Sequence, residues 1–314
     1  MRAILENVAG VDVHKEMLAL TVLRAKSDGS TECIQFEAKT FTEDLVACGA
    51  KLLELGVKHV AMESTGVYWK PIHNVWSPMG IELTVAQAAH VKQVPGRKTD
   101  MNDSHWLAEL HRFGLIRPSF IPDEIFQRLR LLSRHRTNLV EDLARVKNRI
   151  QKTLEDGNVK FGVIASDVFG KSGIQILREI AKGQTNPEIL AKQVTTKIQR
   201  KDEAKKALTN CLTKQHVYLI RQLLEQYDHI DAQIISVDNE LFDLSKPYHS
   251  LVDDLKKIPG ISDVLAMSIL AEATNQMDHF ENERSFAAWA GVAPGNNESA
   301  GKKKDLGLAK EIHI

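Results

Sequence analysis

The spacing of apolar residues changes once along the chain, and this change restricts the fold more than any other feature. In the first part, residues 8–24 alternate as in a β-hairpin, and the short apolar segments 57–63 and 81–86 are typical of strands. In the second part, apolar residues recur at spacings of three, four and seven over 124–155 and 214–245, as in long packed helices. The sequence therefore predicts an α/β part followed by a helical part.

The first part predicts a mixed sheet with helices packed on it. A third strand is expected at 32–37, a helix at 42–55, and a second helix at 99–113 that contains the segment TDMND. Antiparallel strands that are followed by alternating strands and helices indicate an α/β domain. Two prolines close this part, so we assign residues 1–122 to it.

The helical part is assigned to two further domains. Residues 123–247 are expected to form a coiled-coil hairpin or a dimerisation arm, with a mixed, lysine-rich segment inserted near 158–212. Residues 248–314 are expected to form a small, mainly α-helical domain. It contains a helix, a Pro-Gly turn and a helix over 255–273, and then a glycine- and asparagine-rich loop within 285–304.

The composition argues against several classes of protein. Lys plus Arg and Asp plus Glu both number 41, so any nucleic-acid partner must be recognised by local clusters of charge. The three cysteines form no C-x-x-C pair, which disfavours a disulfide framework or a zinc finger and fits a reducing cytoplasm. The N-terminus lacks the apolar stretch of a signal peptide, and no apolar run approaches the roughly 20 residues that span a bilayer. We expect a cytoplasmic protein with no membrane partner.

Four carboxylates are candidates for a metal site. Asp12 lies within an apolar strand, where a charge is costly to bury unless it is paired or binds a metal. Glu63 ends another strand, at the edge of the sheet where sites of α/β proteins tend to lie. Asp100 and Asp103 are three residues apart and share one face of a helix. Hard oxygen ligands from several elements suit Mg²⁺, which can clamp a phosphodiester.

A structural role is the alternative for these residues. Asp100 and Asp103 stand near a helix start and can act as caps and as partners of the helix dipole. Glu63 is followed by Ser-Thr-Gly and can be a turn residue. Asp12 is the hardest to explain in this way, and the four residues together favour a metal site.

Cations are concentrated on the helix predicted at 124–155. They are Arg128, Arg130, Arg134, Arg136, Arg145, Lys147, Arg149 and Lys152, with only Glu141 and Asp142 opposing them between 128 and 152. Such a stripe suits a phosphate backbone, and the charged outer face of a coiled coil is the alternative.

Two further segments are candidates for contacts with nucleic acid. KKIPGIS (256–262) looks like a helix-hairpin-helix, in which turn amides around Gly260 meet a phosphate, although any pair of helices joined by a short turn has this pattern. Tyr68 and Trp69 stand beside Glu63, where they can stack on a base or pack in the core.

Several segments together resemble one known family. They are GVDVHK (10–15), AMESTGVYWKP (61–71), GRKTDMND (96–103) followed by HWLAELHRFGLIRPSFIP, IPGIS, and FAAWAGVAPGNNESAGKKK (286–304). In this order they are similar to bacterial insertion-sequence transposases with an Asp-Glu-Asp-Asp domain like that of the RuvC Holliday-junction resolvase. Piv-type DNA invertases and bridge-RNA-guided recombinases belong to the same group. The resemblance covers nearly the whole chain.

The resemblance implies a ribonuclease-H-like first domain in which Asp12, Glu63, Asp100 and Asp103 bind Mg²⁺. It also implies that Ser299, in the segment GVAPGNNESAGK, is a nucleophile. The loop alone would indicate that this serine is a turn former. A serine hydroxyl is a weak nucleophile, so the role of a nucleophile also requires a base or a metal that activates it.

Lys302, Lys303 and Lys304 follow this serine. They can hold nearby phosphates, or they can be a solvated run of charge.

The resemblance thus implies a DNA transposase or site-specific recombinase that attacks a phosphodiester through Ser299. The resemblance implies DNA and a structured guide RNA as partners, and a homo-oligomer, either a dimer or a tetramer. The family continues after the serine with a basic segment and further helices, whereas fifteen residues follow here, so we expect a truncated C-terminal domain. The alternatives are an Mg²⁺-dependent structure-specific nuclease and an inactive nucleic-acid-binding remnant.

Overall fold

The computed structural model describes most of the chain. The described ranges are 3–26, 28–63, 66–86, 100–116, 118–194, 201–277 and 280–291, together with 298–299 and 302–303. At 100–102, 201, 298–299 and 302–303 only the backbone is described. Contacts divide the chain into two compact units, Met1–Ile121 and Pro122–Ile314.

The first unit is built on a five-stranded mixed sheet. Its strands are β1 Asn7–Val13, β2 Met17–Ala25, β3 Thr31–Lys39, β4 His59–Glu63 and β5 Glu82–Ala86. The order across the sheet is β3-β2-β1-β4-β5, with β1, β2 and β3 antiparallel and β1, β4 and β5 parallel. The predicted hairpin, third strand and two short strands are confirmed, and the α/β class with them.

Helices cover both faces of this sheet. They are α1 Thr42–Glu54, α2 Trp69–Trp76 and α3 Asp100–Arg112. Residues of α1 and α2, such as Leu52 and Trp76, pack with Val11 of β1 in the larger core cluster. On the other face, Leu107 of α3 packs against Ala61 of β4.

The sequence did not predict helix α2. For this segment the residues indicated only a turn after Glu63, as one alternative, and either base stacking or packing for Tyr68 and Trp69. Pro71 lies in the first turn of α2, where its missing N–H breaks no helical hydrogen bond. Trp69 is half-buried against the core, whereas Tyr68 is 42% exposed. Packing therefore accounts for Trp69, and base stacking by Tyr68 stays a prediction.

Helix α3 lies directly on strand β1 because Gly10 has no side chain. A Cβ atom at Gly10 would stand 2.0 Å from the carbonyl oxygen of Ser104 and 2.4 Å from the backbone nitrogen of Ala108. Beside this contact, the hydroxyls of Thr21 and Ser104 are hydrogen-bonded at 2.8 Å and both residues are fully buried. Because the backbone of α3 leaves no room for a Cβ atom, only glycine fits at this position of β1.

The second unit is organised by two long antiparallel helices, α4 Glu124–Asp156 and α8 Lys214–Ser245. Between them lie α5 Lys171–Ala181, α6 Pro187–Ala191 and α7 Ala204–Ala207; after them come α9 His249–Lys256, α10 Asp263–Ala273, α11 Glu283–Trp289 and the paired segments β6 Glu298–Ser299 and β7 Lys302–Lys303. The predicted long helices and helical C-terminal region are confirmed. Within the part of the chain that the structure describes, no helix is both long and apolar enough to cross a membrane.

The apolar spacing over 214–245 predicts that Leu219 and Gln226 lie in the seam between α4 and α8, and the structure has a different register at the start of α8. Leu219 was expected in the seam but is 45% exposed, while the adjacent Ile220 is fully buried. Gln226 is likewise exposed and Tyr227 packs against the core. The heptad pattern alone allowed either register, because Leu219 and Ile220 are both aliphatic, and packing against α4 and the neighbouring helices selects Ile220.

We predict that Gly10→Ala destabilises the first unit. The added methyl group must displace the backbone of α3, so we expect the free energy of unfolding to fall by at least the ~1–3 kcal/mol typical of overpacking. Chemical denaturation monitored by circular dichroism measures it. Gly162→Ala is the control, because its Cβ would meet only Val168 at an ordinary 3.5 Å. Equal stability of the two variants would contradict the account of Gly10.

We also predict that acid destabilises the fold through His111. Burial in α3, with His59 nearby, lowers the pKa of His111 from 6.5 to about 4. As the pH falls, His111 of the unfolded chain takes up its proton near pH 6.5, before the folded chain does. About 3 kcal/mol of the free energy of unfolding, present near neutral pH, is therefore lost between about pH 6.5 and about pH 4. Unfolding measured at several pH values should show a shallower dependence in His111→Leu. The same slope in both proteins would exclude this residue as the cause.

Candidate metal centre

Asp12 lies on the face of β1 that meets helix α3. Alternate residues of a strand share a face, and Gly10 touches α3, so Asp12 belongs to the same face. Its carboxylate is 19% exposed, and its Oδ2 lies 3.1 Å from Nε2 of His14. The carboxylate therefore stands at the end of a buried strand, within reach of solvent.

Glu63 stands beside Asp12 on the neighbouring strand. Val11 of β1 pairs with Met62 of β4 in a parallel register, so the next residues, Asp12 and Glu63, are adjacent positions. Neighbouring strands lie about 4.8 Å apart, and paired positions of parallel strands point to the same face. The structure thus brings these two predicted residues to one end of the sheet, on the α3 side.

The start of helix α3 is directed toward the same end of the sheet. The carbonyl oxygen of Arg112, at the other end of α3, accepts the N–H of Ile4 at 3.0 Å, so α3 runs antiparallel to β1. Ser104 lies against Gly10, and Asp100 is one turn before Ser104. The backbone of Asp100 is therefore displaced from Gly10 in the direction of Asp12.

Asp103 occupies a corresponding position next to Glu63. It is one turn before Leu107, which packs against Ala61, and Glu63 follows Ala61 by two residues on the same face. The side chain of Asp103 is half-buried. Helix direction and strand register together place the four predicted positions around one end of β1 and β4.

This arrangement fits a divalent cation in its donor chemistry. Carboxylate oxygens from two strands and one helix are the hard ligands that Mg²⁺ prefers. Among the side chains that the structure describes, no three His, Cys, Asp or Glu residues are grouped closely enough to hold a metal. The side chain of Asp100 lies outside the described residues, so the four-ligand assignment stays a prediction.

The predicted nucleophile lies in the second unit. Ser299 belongs to β6, and its backbone pairs with that of Lys302 in β7. The side chains of Ser299, Lys302 and Lys303, and the whole of Lys304, lie outside the described residues. Their roles remain predictions.

Most cations of the predicted basic stripe on α4 make contacts within the chain. Arg128 pairs with Glu124, Arg136 with Asp238, and Arg145 with Asp142, while Lys147 lies over the rings of Phe169 and Tyr227, and Arg149 and Lys152 are exposed. The cations of α4 therefore do not form a continuous solvated stripe. Binding of nucleic acid by these residues remains a prediction.

Arg130 and Arg134 form an ionic contact between α4 and α10 that the sequence did not reveal. Arg134 donates to both carboxylate oxygens of Glu272, at 2.9 and 3.0 Å. Arg130 donates to the carbonyl oxygens of Ala271 and Glu272, at 2.9 and 2.6 Å. Burial lowers the pKa of Arg130, and the charge of Glu272 opposes this shift. The two arginines join α4 to α10.

The turn between α9 and α10 has the predicted helix–turn–helix form. Gly260 has φ +91°, which requires glycine, and open space surrounds its Cα. The flanking lysines are engaged in ion pairs: Lys256 with Asp263 at 2.5 Å and Lys257 with Asp254 at 2.6 Å. A phosphate contact by the turn amides stays a prediction.

His14 is a residue of the carboxylate region that sequence reasoning passed over. The signal was present in the segment DVHK, because His14 follows Asp12 by two residues and therefore shares its side of the strand. Neither spacing nor composition indicated that the two side chains would meet.

Comparison with known proteins identifies the family of the chain. Residues 9–158 match the family described as transposases of the DEDD IS110 type, and residues 252–312 match the "Transposase IS116/IS110/IS902 family". The chain belongs to this family of insertion-sequence transposases.

Individual relatives are distant. The "Insertion element IS116 uncharacterized 44.8 kDa protein" of Streptomyces clavuligerus is 24% identical over 246 residues, which are 69% of this chain and 61% of that protein. The match thus spans less than two thirds of that relative's length. Two structures of RuvC from Thermus thermophilus, one in complex with a Holliday junction substrate, align with TM-scores of 0.29 and 0.28 at 15% and 16% identity. They cover 37% and 36% of this chain and 100% and 99% of their own.

We predict that Glu272→Ala destabilises the second unit by about 2–3 kcal/mol. It leaves Arg130 partly buried without its carboxylate; the loss is smaller than for a fully buried pair because the side chain of Arg134 is 45% exposed. Urea denaturation measures the change. The control Asp142→Ala removes only the exposed partner of Arg145 and should leave the midpoint unchanged. An unaltered midpoint in Glu272→Ala would show that this contact contributes nothing to stability.

Proposed function

We propose that this chain is the DNA transposase of an insertion sequence, acting through a carboxylate-bound divalent cation and a serine nucleophile. The observation that carries the proposal is the register of β1 and β4, which sets Asp12 beside Glu63 at the end of the sheet toward which α3 begins. Membership of the transposase family supplies the reaction class.

Asp12, Glu63, Asp100 and Asp103 would hold the cation, with Mg²⁺ as the fitting metal. When bound, such an ion polarises a phosphoryl oxygen and stabilises charge on the leaving oxygen. The half-buried position of Asp12, at 19% exposure, gives a carboxylate that is partly shielded from water yet reachable by a nucleic-acid strand.

Ser299 is the proposed nucleophile. Its Oγ loses its proton and attacks phosphorus, the bond from phosphorus to the leaving deoxyribose oxygen breaks, and that oxygen takes up a proton to become a free hydroxyl, so that no net proton is gained or lost. The DNA end stays attached to the protein as a phosphoserine ester. Lys302 and Lys303, which pair with β6 through the backbone, are close enough in sequence to hold neighbouring phosphates.

DNA is the proposed substrate, and a structured RNA encoded by the element is the proposed guide. The support for the RNA is the resemblance to guided recombinases. A homo-oligomer, either a dimer or a tetramer, is proposed on the same ground. The basic residues of α4 that are exposed, such as Arg149 and Lys152, are candidates for these contacts.

Two other functions make different predictions. A metal-dependent nuclease would use water as the nucleophile and leave 5′-phosphate ends without an adduct. A nucleic-acid-binding remnant would bind with steep salt dependence and never cut.

The test is an adduct assay with the purified chain, Mg²⁺, donor and target DNA, and RNA transcribed from the element. We expect a protein–DNA adduct that resists denaturation in wild type and is lost in Ser299→Ala and in Asp12→Asn. Ser166→Ala and Asp253→Asn are the matched controls, because both positions are exposed and neither residue is among those proposed for the reaction.

Each alternative has its own outcome. An adduct that persists in Ser299→Ala would overturn the serine assignment. Cut ends without an adduct would establish the nuclease, and binding without cleavage would establish the remnant.

A further inference from the structure

We propose that His14 is a positioning residue of the carboxylate site, holding the side chain of Asp12 in the orientation in which it binds the divalent cation. The inference rests on the proposed function of Asp12 as a metal ligand. It adds a residue that lies outside the four carboxylates and that neither family membership nor the spacing of acidic residues indicates.

The local geometry of the β1–β2 hairpin sets this contact. His14 follows Val13, the last residue of β1, and its backbone N–H donates to the carbonyl oxygen of Met17 at 3.0 Å, which closes the hairpin. The two-residue separation keeps His14 on the side of the strand that Asp12 occupies. Nε2 of His14 then lies 3.1 Å from Oδ2 of Asp12.

The chemistry of the pair limits how the two groups can attract each other across the 3.1 Å between Nε2 of His14 and Oδ2 of Asp12. An ionised carboxylate only accepts, so an attractive contact requires Nε2 to carry a hydrogen. A carboxylate that is held by a donor samples fewer rotamers, and it loses less freedom when a cation binds. Hydrogen bonds to ligating carboxylates have this effect in metal sites, where their removal commonly costs roughly ten- to a hundredfold in metal affinity.

The exposure of the two side chains argues against a mainly structural role. The imidazole of His14 is 45% exposed, and it stands at the open end of the sheet rather than in the core. The hairpin is already held by the register of β1 and β2, from Asn7 with Arg24 to Val13 with Leu18. Removal of the imidazole should therefore leave folding almost unchanged while removing one of the contacts that orient the carboxylate.

The experiment measures binding of Mg²⁺ and Mn²⁺ to the full chain without nucleic acid. Isothermal titration reports Mg²⁺, and electron paramagnetic resonance of free Mn²⁺ reports the second ion. Thermal unfolding in the presence of EDTA reports the fold alone. The variants are His14→Leu, which removes the donor, His14→Gln, which keeps an N–H donor at a similar reach, and Asp12→Asn. His135→Leu, at an exposed position of α4, is the matched control.

We expect His14→Leu to weaken cation binding at least tenfold, and His14→Gln to remain within about threefold of wild type, because only the donor is needed. Unfolding in EDTA should be the same for wild type and both variants. His135→Leu should bind both ions as wild type does.

Other results overturn the inference in distinguishable ways. If wild type and His14→Leu bind alike while Asp12→Asn loses the ion, the metal site stands and the role of His14 is wrong. If His14→Gln loses as much affinity as His14→Leu, the imidazole itself is a ligand and positioning is excluded. If wild type binds neither ion, the proposed metal site fails and the inference falls with it.

Discussion

The direct contact between helix α3 and strand β1 is the constraint on which the first unit depends. Gly10 lets the backbone of Ser104 approach so closely that no side chain fits between them. This close approach fixes the distance of α3 from the sheet and the direction of the helix axis. The hydrogen bond between Thr21 and Ser104 fixes the rotation of α3 about that axis. The start of α3 is thereby set against the ends of β1 and β4, so a glycine with no chemistry of its own determines where the acidic residues of three elements lie.

Much of the first unit was predictable because its signals are local. Alternation identified the hairpin, and a charge within an apolar strand identified Asp12 as a residue in need of a partner. The nearness of Asp12 and Glu63 was not in the sequence, because it follows from the parallel pairing of two strands about fifty residues apart. The same holds for His14, whose contact depends on the hairpin turn and the rotamers of two side chains.

In the second unit, periodicity predicted the helices better than their surfaces. The heptad pattern gave α4 and α8 their extents, but Leu219 and Ile220 are neighbours of equal character and only packing selects which is buried. The charge pattern was less informative still, because a row of arginines has the same sequence whether the side chains bind phosphate or pair with carboxylates of the same chain. Glu272 is more than a hundred residues from Arg134, and no spacing rule connects them.

The pair formed by α4 and α8 has a further consequence, which concerns cooperativity. A helix of 33 residues is about 50 Å long, and the apolar contacts along this one form three groups, of which the middle one shares Tyr227 and Ile230 with one end group and Val237 with the other. Phe126 and Leu129 pack with Leu241 at one end, and Ile150 packs with Ile220 and Leu223 at the other. The two end groups share no side chain with each other, so packing lost at one end reaches the other only through the middle group. The middle group therefore determines how far the two ends of the helix pair unfold together.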